Sequence, residues 1–141
     1  MQLSFLLITV VQIFVPVISD HTVNRKINLE RLNKIIKEAV EQSNQIHIPE
    51  IKEPINFDQY ILNNKNIYFA DIQSEINFYD LKINANENIS ILVGPEGDFS
   101  ANEIKKLKES KNSSSFSLGP RILRSETAAI ASLVLFNNLK N

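Results

Sequence analysis

Residues 89 to 104 read ISILVGPEGDFSANEI and join three kinds of local structure in one run. The apolar segment ISILV (89–93) is typical of a parallel strand buried on both faces. The segment SANE (100–103) has the form of a capping box, which predicts a helix over ANEIKKLKES (101–110). A strand, a glycine loop and a helix in this order indicate an α/β sheet.

The loop in this run contains Gly94 and Gly97, two of only three glycines among the 141 residues. The third is Gly119, in the segment SLGPRILRSETA (117–128). Glycine suits positions where φ is positive or where the main chain approaches another group closely. A lone GxxG segment would indicate only a tight turn. The second loop also concentrates Arg121 and Arg124, and the two loops together favour a binding site.

Strands and helices alternate on both sides of this run. The apolar N-terminal segment 3–18 is short for a membrane span, and no basic residue precedes it as in a signal peptide. Its content of Val, Ile and Phe and its Pro16 predict a buried strand instead. Asn28 is predicted to cap an amphipathic helix over 29–41, whose polar face includes Glu30, Lys34, Lys37 and Glu41. The remaining predictions are an extended piece at 46–51, a short helix at 56–62, strands at 66–70 and 114–118, and a closing helix at 125–139.

This order predicts a single α/β domain with a parallel sheet and helices on both of its faces. In such sheets, ligands bind at the carboxyl ends of the strands. Both glycine loops follow a predicted strand, so they are expected at that edge.

Composition narrows the chemistry further. The chain has no cysteine, which excludes disulfides, thiolate metal sites and a cysteine nucleophile. Its two histidines have no metal-ligand spacing, and no P-loop or dinucleotide motif occurs. The net charge of −1 lacks the basic excess typical of nucleic-acid binding proteins. Four lysines of one predicted helix and its end either form a solvated face or face RNA: Lys105, Lys106, Lys108 and Lys111.

The segments LVGPEGDFSANEI and SLGPRILRSETAAIASL resemble the two signatures of the 16S ribosomal RNA uridine-N(3)-methyltransferases, a family of the SPOUT superfamily. The resemblance implies a SPOUT-type parallel sheet with a C-terminal trefoil knot in a cytoplasmic homodimer, with no membrane association. It covers residues 11–141 as a methyltransferase domain that is incomplete at its N-terminal edge. Residues 1–10 depart from the family, and the family's N-terminal PUA-like domain has no counterpart.

The same resemblance implies S-adenosylmethionine as cofactor, no metal, and 16S rRNA of the small ribosomal subunit as substrate. Arg124 is then the donor that stabilises the uracil anion, and Arg121 positions phosphate or base. Glu126 either orients Arg124 or helps to remove the proton. The implied cofactor-binding residues are Gly94, Glu96, Gly97, Leu118, Gly119, Ile122 and Leu123.

Two residues depart from the family pattern: Asp98 replaces the second glycine of GPEGG, and Gln45 replaces an arginine. The missing N-terminal elements predict a poor enzyme in isolation. Two alternatives to an active methyltransferase remain open. One is a cofactor-binding or dimerising remnant without RNA-modifying activity, and the other, from the apolar N-terminus alone, is a small membrane-associated protein.

Overall fold

The computed structural model of the chain describes residues 13–22, 50–83, 87–95 and 98–119, together with 30, 33, 34, 37, 38, 41, 131, 132, 135 and 136. The two helices with defined bounds are α1 (Phe57–Asn63) and α2 (Ala101–Glu109), and Phe78–Asp80 form a 3-10 turn. The strands are β1 (Ile13–Phe14), β2 (Val17–Ile18), β3 (Glu50–Ile51), β4 (Ile55–Asn56), β5 (Ile67–Ala70), β6 (Ser90–Leu92) and β7 (Ser113–Phe116).

All the strand pairs formed by these residues are parallel. Strand β1 pairs with β3, and β2 pairs with β4. Strand β5 lies between β6 and β7, in the order β6-β5-β7. The predicted α/β class with parallel pairing is therefore confirmed for this part of the chain.

Two prolines divide the N-terminal ladder into short strands. The register pairs Phe14 with Ile51 before the break and Val17 with Ile55 after it. Two residues separate the partners on one strand and three on the other, so the second strand has a bulge at Pro54. A proline nitrogen cannot donate to a ladder, and the bond across the break runs instead from Ile55 N to Pro16 O at 3.0 Å.

Strand β5 is the centre of the core. Ile67 and Phe69 are 0% and 1% exposed and face a cluster that includes Tyr60 of α1 and Leu107 of α2. Tyr68, on the other face, packs with aromatic side chains: Phe78, Phe116 and Phe136. Since successive side chains of a strand point to opposite faces, the alternation in IYFA accounts for both clusters.

The helix predictions hold at the residues that are described. All the described residues between 30 and 41 are helical and exposed, as the polar face of an amphipathic helix requires. Leu135 and Phe136 are helical within the predicted closing helix and pack on the sheet. Ser100 and Glu103 make both hydrogen bonds of the predicted capping box.

Three predictions are corrected. The described part of the N-terminal segment forms the short strands β1 and β2, but Ile13 is 49% exposed, so this part is not fully buried. Strand β6 is only partly buried, because it pairs with β5 on one side and is an edge of the described sheet. The predictions for residues 46–62 did not include β4 (Ile55–Asn56). The bulge at Pro54 leaves this strand only two residues long, and a strand of that length has no recognisable sequence pattern. Among the described residues, no helix has both the length and the apolar character needed to cross a membrane.

The buried centre of β5 makes a stability prediction. We expect Phe69→Ala to lower the free energy of unfolding by about 3–5 kcal/mol, because it leaves a cavity between α1 and α2. Leu62→Ala in α1 is the control, since Leu62 is 82% exposed and should change stability little. Urea denaturation measures both, and similar losses for the two variants would contradict the position of β5 at the core.

Candidate functional site

The two glycine loops leave the sheet at the same edge. Strand register pairs Phe69 of β5 with Leu92 of β6, and Ala70 of β5 with Phe116 of β7. The loop that contains Gly94 follows β6, and the loop that contains Gly119 follows β7. The predicted placement of both loops at the carboxyl edge is thereby confirmed.

Gly119 is half-buried and has free space where a side chain would project. Its φ is +117°, which L side chains rarely adopt, and a Cβ placed there would have no atom of the described residues within 4 Å. Its N–H donates to Ser117 Oγ at 3.1 Å, and this bond holds the turn. Among the described residues, space for another group therefore remains beside Gly119.

Gly94 is required for a different reason. A Cβ at Gly94 would lie 3.0 Å from Asp98 Oδ1 and 3.2 Å from the ring of Phe99. Phe99 belongs to the core, so its ring has little freedom to move. The tight turn expected here is closed by a bond from Asp98 N to Pro95 O at 2.8 Å. Packing within the loop therefore accounts for Gly94.

Asp98 explains its own departure from the family pattern. Its φ is +61°, in the left-handed region, where glycine is favoured and aspartate and asparagine are the side chains best tolerated. Its Oδ1 accepts a hydrogen bond from Phe99 N at 2.8 Å, which stabilises this conformation. An aspartate at this position therefore meets a backbone requirement that a glycine would also meet.

A turn after β2 is tied to this loop. Glu103 is 3% exposed, and its two carboxylate oxygens accept from Ser100 N at 2.9 Å and Asp20 N at 3.1 Å. Asp20 Oδ2 also accepts from Ser100 Oγ, and His21 Nδ1 lies 2.9 Å from Asp98 O. The turn itself is closed by Thr22, whose Oγ1 accepts from Ser19 N at 2.9 Å.

A cleft of about 200 Å³ lies between this turn and the Gly94 loop. Its lining residues are Val17, Ser19, Thr22, Leu92, Val93, Gly94, Pro95 and Phe99. The sequence predictions did not include the Ser19–Thr22 turn in a site. The signal was present in SDHT, a group of hydrogen-bonding residues directly after a strand.

The predicted site residues divide into two groups. The described ones are Gly94, Leu118 and Gly119, which lie in the loops of one sheet edge. The others fall outside the described residues: Glu96, Gly97, Arg121, Ile122, Leu123, Arg124 and Glu126. Their roles stay predictions.

The lysines of α2 form ion pairs. Lys106 Nζ lies 2.8 Å from Asp58 Oδ1, and this hydrogen bond raises the pKa of Lys106. Lys108 Nζ lies 3.6 Å from the buried carboxylate of Asp71. Lys105 approaches Glu109 to 4.0 Å. These pairs favour the solvated-face interpretation of the helix over an RNA-facing one.

A second cleft, of about 570 Å³, lies at the amino ends of the strands. It is polar, with Lys65 and Glu87 among its lining residues, and Ser90 at its wall hydrogen-bonds the hydroxyl of Tyr60. Burial raises the pKa of Tyr60, although the bond to Ser90 opposes this shift. The larger cleft is thus at the opposite edge from the glycine loops.

The parallel sheet with two loops at its carboxyl edge defines an α/β domain of the class in which nucleotide- and cofactor-binding enzymes hold their ligands at that edge. The chain belongs to the family described as the RNA methyltransferase domain, whose model matches residues 9–137. The predicted membership in the 16S rRNA methyltransferase family is confirmed.

The relatives of known name agree. The chain is 40% identical to Ribosomal RNA small subunit methyltransferase E of Rickettsia conorii, over 84% of this chain and 50% of that protein. It is 32% identical to the same-named protein of Aquifex aeolicus, over 89% of this chain and 56% of that protein. The chain thus spans about half the length of the curated relatives it matches.

A solved structure supports the same fold. It is that of Ribosomal RNA small subunit methyltransferase E from Neisseria gonorrhoeae bound to S-adenosylmethionine, with a TM-score of 0.84 and 28% identity. The match covers 98% of this chain and 58% of that one.

The left-handed conformation at position 98 can be tested directly. We expect Asp98→Ala to be less stable than Asp98→Gly by about 1 kcal/mol, because alanine is strained at this φ and glycine is not. Both variants lose the hydrogen bond to Phe99 N, so their difference isolates the backbone effect. Urea denaturation of the pair provides the measurement, and equal stabilities would refute a left-handed backbone at this position.

Proposed function

We propose that this chain supplies the S-adenosylmethionine-binding, catalytic domain of a small-subunit rRNA methyltransferase. The acceptor in this proposal is the N(3) nitrogen of a uridine in 16S rRNA. The names of the curated relatives and the cofactor bound in the Neisseria gonorrhoeae structure support the reaction class. The uridine position rests on the resemblance of the two loop motifs.

The observation that carries the proposal is the positive φ of Gly119 together with the free space at its side-chain position. The positive φ and the free space above this residue suit a cofactor held through backbone groups. Gly94 and Leu118 would complete the described part of that site. From the motifs we add Glu96, Gly97, Ile122 and Leu123 to the cofactor-binding residues.

The charge of the loop suits a cationic cofactor. Asp98, on the Gly94 loop, and Asp20, on the turn tied to that loop, are both exposed carboxylates. S-adenosylmethionine, when bound, supplies a methyl group on a positively charged sulfonium. A nearby carboxylate attracts such a cation, since opposite charges within a few ångströms stabilise each other.

The second requirement of the reaction is activation of the acceptor nitrogen. The N(3) atom of uracil carries a proton between two carbonyls, and it becomes nucleophilic only when that proton leaves. We assign Arg124 to stabilise the resulting negative charge on the carbonyl oxygens, because a fixed positive donor acts as the charge forms. Arg121 positions phosphate or base through its planar guanidinium. Glu126 orients Arg124 or takes the proton.

The proposal includes the surroundings of the reaction. The substrate is 16S rRNA within the small ribosomal subunit, and the assembly is a cytoplasmic homodimer with a C-terminal trefoil knot. The family resemblance supports each of these statements. With a net charge of −1, the chain would bind RNA through local positive groups such as the two arginines.

Cofactor binding gives the first test. Titration calorimetry of the chain with S-adenosylmethionine should show saturable binding, and Gly119→Val should abolish it. Valine is strained at a φ of +117° and would occupy the space through which the cofactor reaches the backbone. Ser114→Val, an exposed position of β7, is the control and should bind normally.

The folding of each variant is checked by urea denaturation, so that lost binding is not confused with lost structure. The absence of any heat or thermal shift at millimolar cofactor would overturn the proposed function. Binding without methyl transfer to unmethylated small subunits would identify a cofactor-binding protein that does not modify RNA.

Methyl transfer gives the second test. In a protein that transfers methyl groups, we expect Arg124→Ala to lower the rate by about 100-fold or more while cofactor affinity changes little. A donor that acts on the transition state should affect the rate selectively. Tritium transfer from S-adenosylmethionine measures the rate, with calorimetry for affinity. Parallel losses in the two would exclude this role for Arg124.

A further inference from the structure

The cleft beside Gly94 is bounded by two different kinds of surface. Side chains of Leu92, Val93, Pro95 and Phe99 make one side apolar. The Ser19–Thr22 turn forms another wall, where the hydroxyl of the buried Ser19 and that of Thr22 hydrogen-bond each other at 2.9 Å. A planar ring with a polar edge suits this combination, since apolar groups cover its faces and hydroxyls meet its edge.

The hydroxyl wall is held rigidly in place. Glu103 accepts from Asp20 N and from Ser100 N, so one buried carboxylate joins the turn to the start of α2. The bond from Ser100 Oγ to Asp20 Oδ2 and the contact between His21 Nδ1 and Asp98 O lie on either side of it. These three connections fix the distance between the turn and the loop that carries Gly94.

The cleft is also separate from the open space at Gly119. Its lining includes Gly94 but neither Leu118 nor Gly119. A methyl donor held by the two glycine loops would lie near the end of β5, because β5 is between β6 and β7. The cleft includes Val17 of β2 in its lining, so it extends from Gly94 toward β2, where an acceptor would have access to such a donor.

We propose that the Ser19–Thr22 turn is the wall of a pocket for the base that accepts the methyl group, and that Glu103 is the positioning residue that sets its width. The proposal rests on the proposed function and specifies the substrate side of the same site. The adenine of the cofactor is also a planar heteroaromatic ring, so the experiment has to distinguish the two sources.

Amide NMR spectra of the whole chain provide the test, with uridine monophosphate as the probe and S-adenosylhomocysteine present at saturation. We expect the nucleotide to shift the amides of Ser19, Thr22 and Val93. Ser19→Ala removes one hydroxyl and should lower the affinity for the nucleotide about three- to tenfold, which is the usual effect of losing one hydrogen bond. Cofactor affinity should be unchanged in this variant.

Glu103→Ala tests the positioning role. We expect this variant to lower the affinity for uridine monophosphate. It should also speed hydrogen exchange at Asp20 N–H, because it removes the acceptor of that group. Glu103→Gln, which keeps one carbonyl acceptor, should recover part of both effects. Leu107→Ala is the control for lost stability, because Leu107 is buried in the same helix but lies outside the cleft. It should leave nucleotide affinity per folded molecule unchanged.

Each alternative outcome is distinct. If the cofactor alone shifts the cleft amides and the nucleotide adds nothing, the cleft is an adenine slot and the inference is wrong. Absence of nucleotide shifts at the cleft also overturns it, as does an equal effect of Leu107→Ala. If the nucleotide binds there while no cofactor binds, the pocket stands and the proposed function fails.

Discussion

Strand β5 is the constraint on which the described structure depends. It hydrogen-bonds to β6 on one side and β7 on the other, and its alternate side chains anchor a separate cluster on each face. The strands of a parallel sheet are buried on both faces, so other side chains have to pack against the sheet from both sides. The same pairing brings the ends of β6 and β7 to one edge, and this is what places the loops of Gly94 and Gly119 at the same edge of the sheet. Core and candidate site therefore have the same origin.

Glu103 connects helix formation to the site. In a capping box the glutamate only has to reach back to the N-cap nitrogen. Here its second oxygen accepts from Asp20 N, a residue 83 positions earlier. Burying a carboxylate is costly unless its oxygens are hydrogen-bonded, and both are. A local device that starts a helix thus also fixes a distant turn beside the Gly94 loop.

Glycine is required in the two loops for different structural reasons. Gly119 has a positive φ and free space at its side-chain position, whereas Gly94 is enclosed by Asp98 and Phe99. Asp98 has a positive φ without being glycine and compensates with a hydrogen bond to the next nitrogen. From sequence, Gly94 and Gly119 both indicated close approach to a ligand. Of these two, Gly119 shows the free space that such an approach needs.

The sequence by itself determined the strands β5, β6 and β7 to within a few residues, the start of α2 at Ser100, the parallel α/β class and the family, because periodicity, capping and long motifs are local properties of the chain. Tertiary structure decided which strand is central: ISILV is the more apolar pattern, yet IYFA is the more buried, since burial depends on how many neighbours a strand pairs with. It also decided the bulge at Pro54 and the union of the Ser19–Thr22 turn with the Gly94 loop. Those features arise from hydrogen bonds between residues far apart in the chain, and no local pattern contains them.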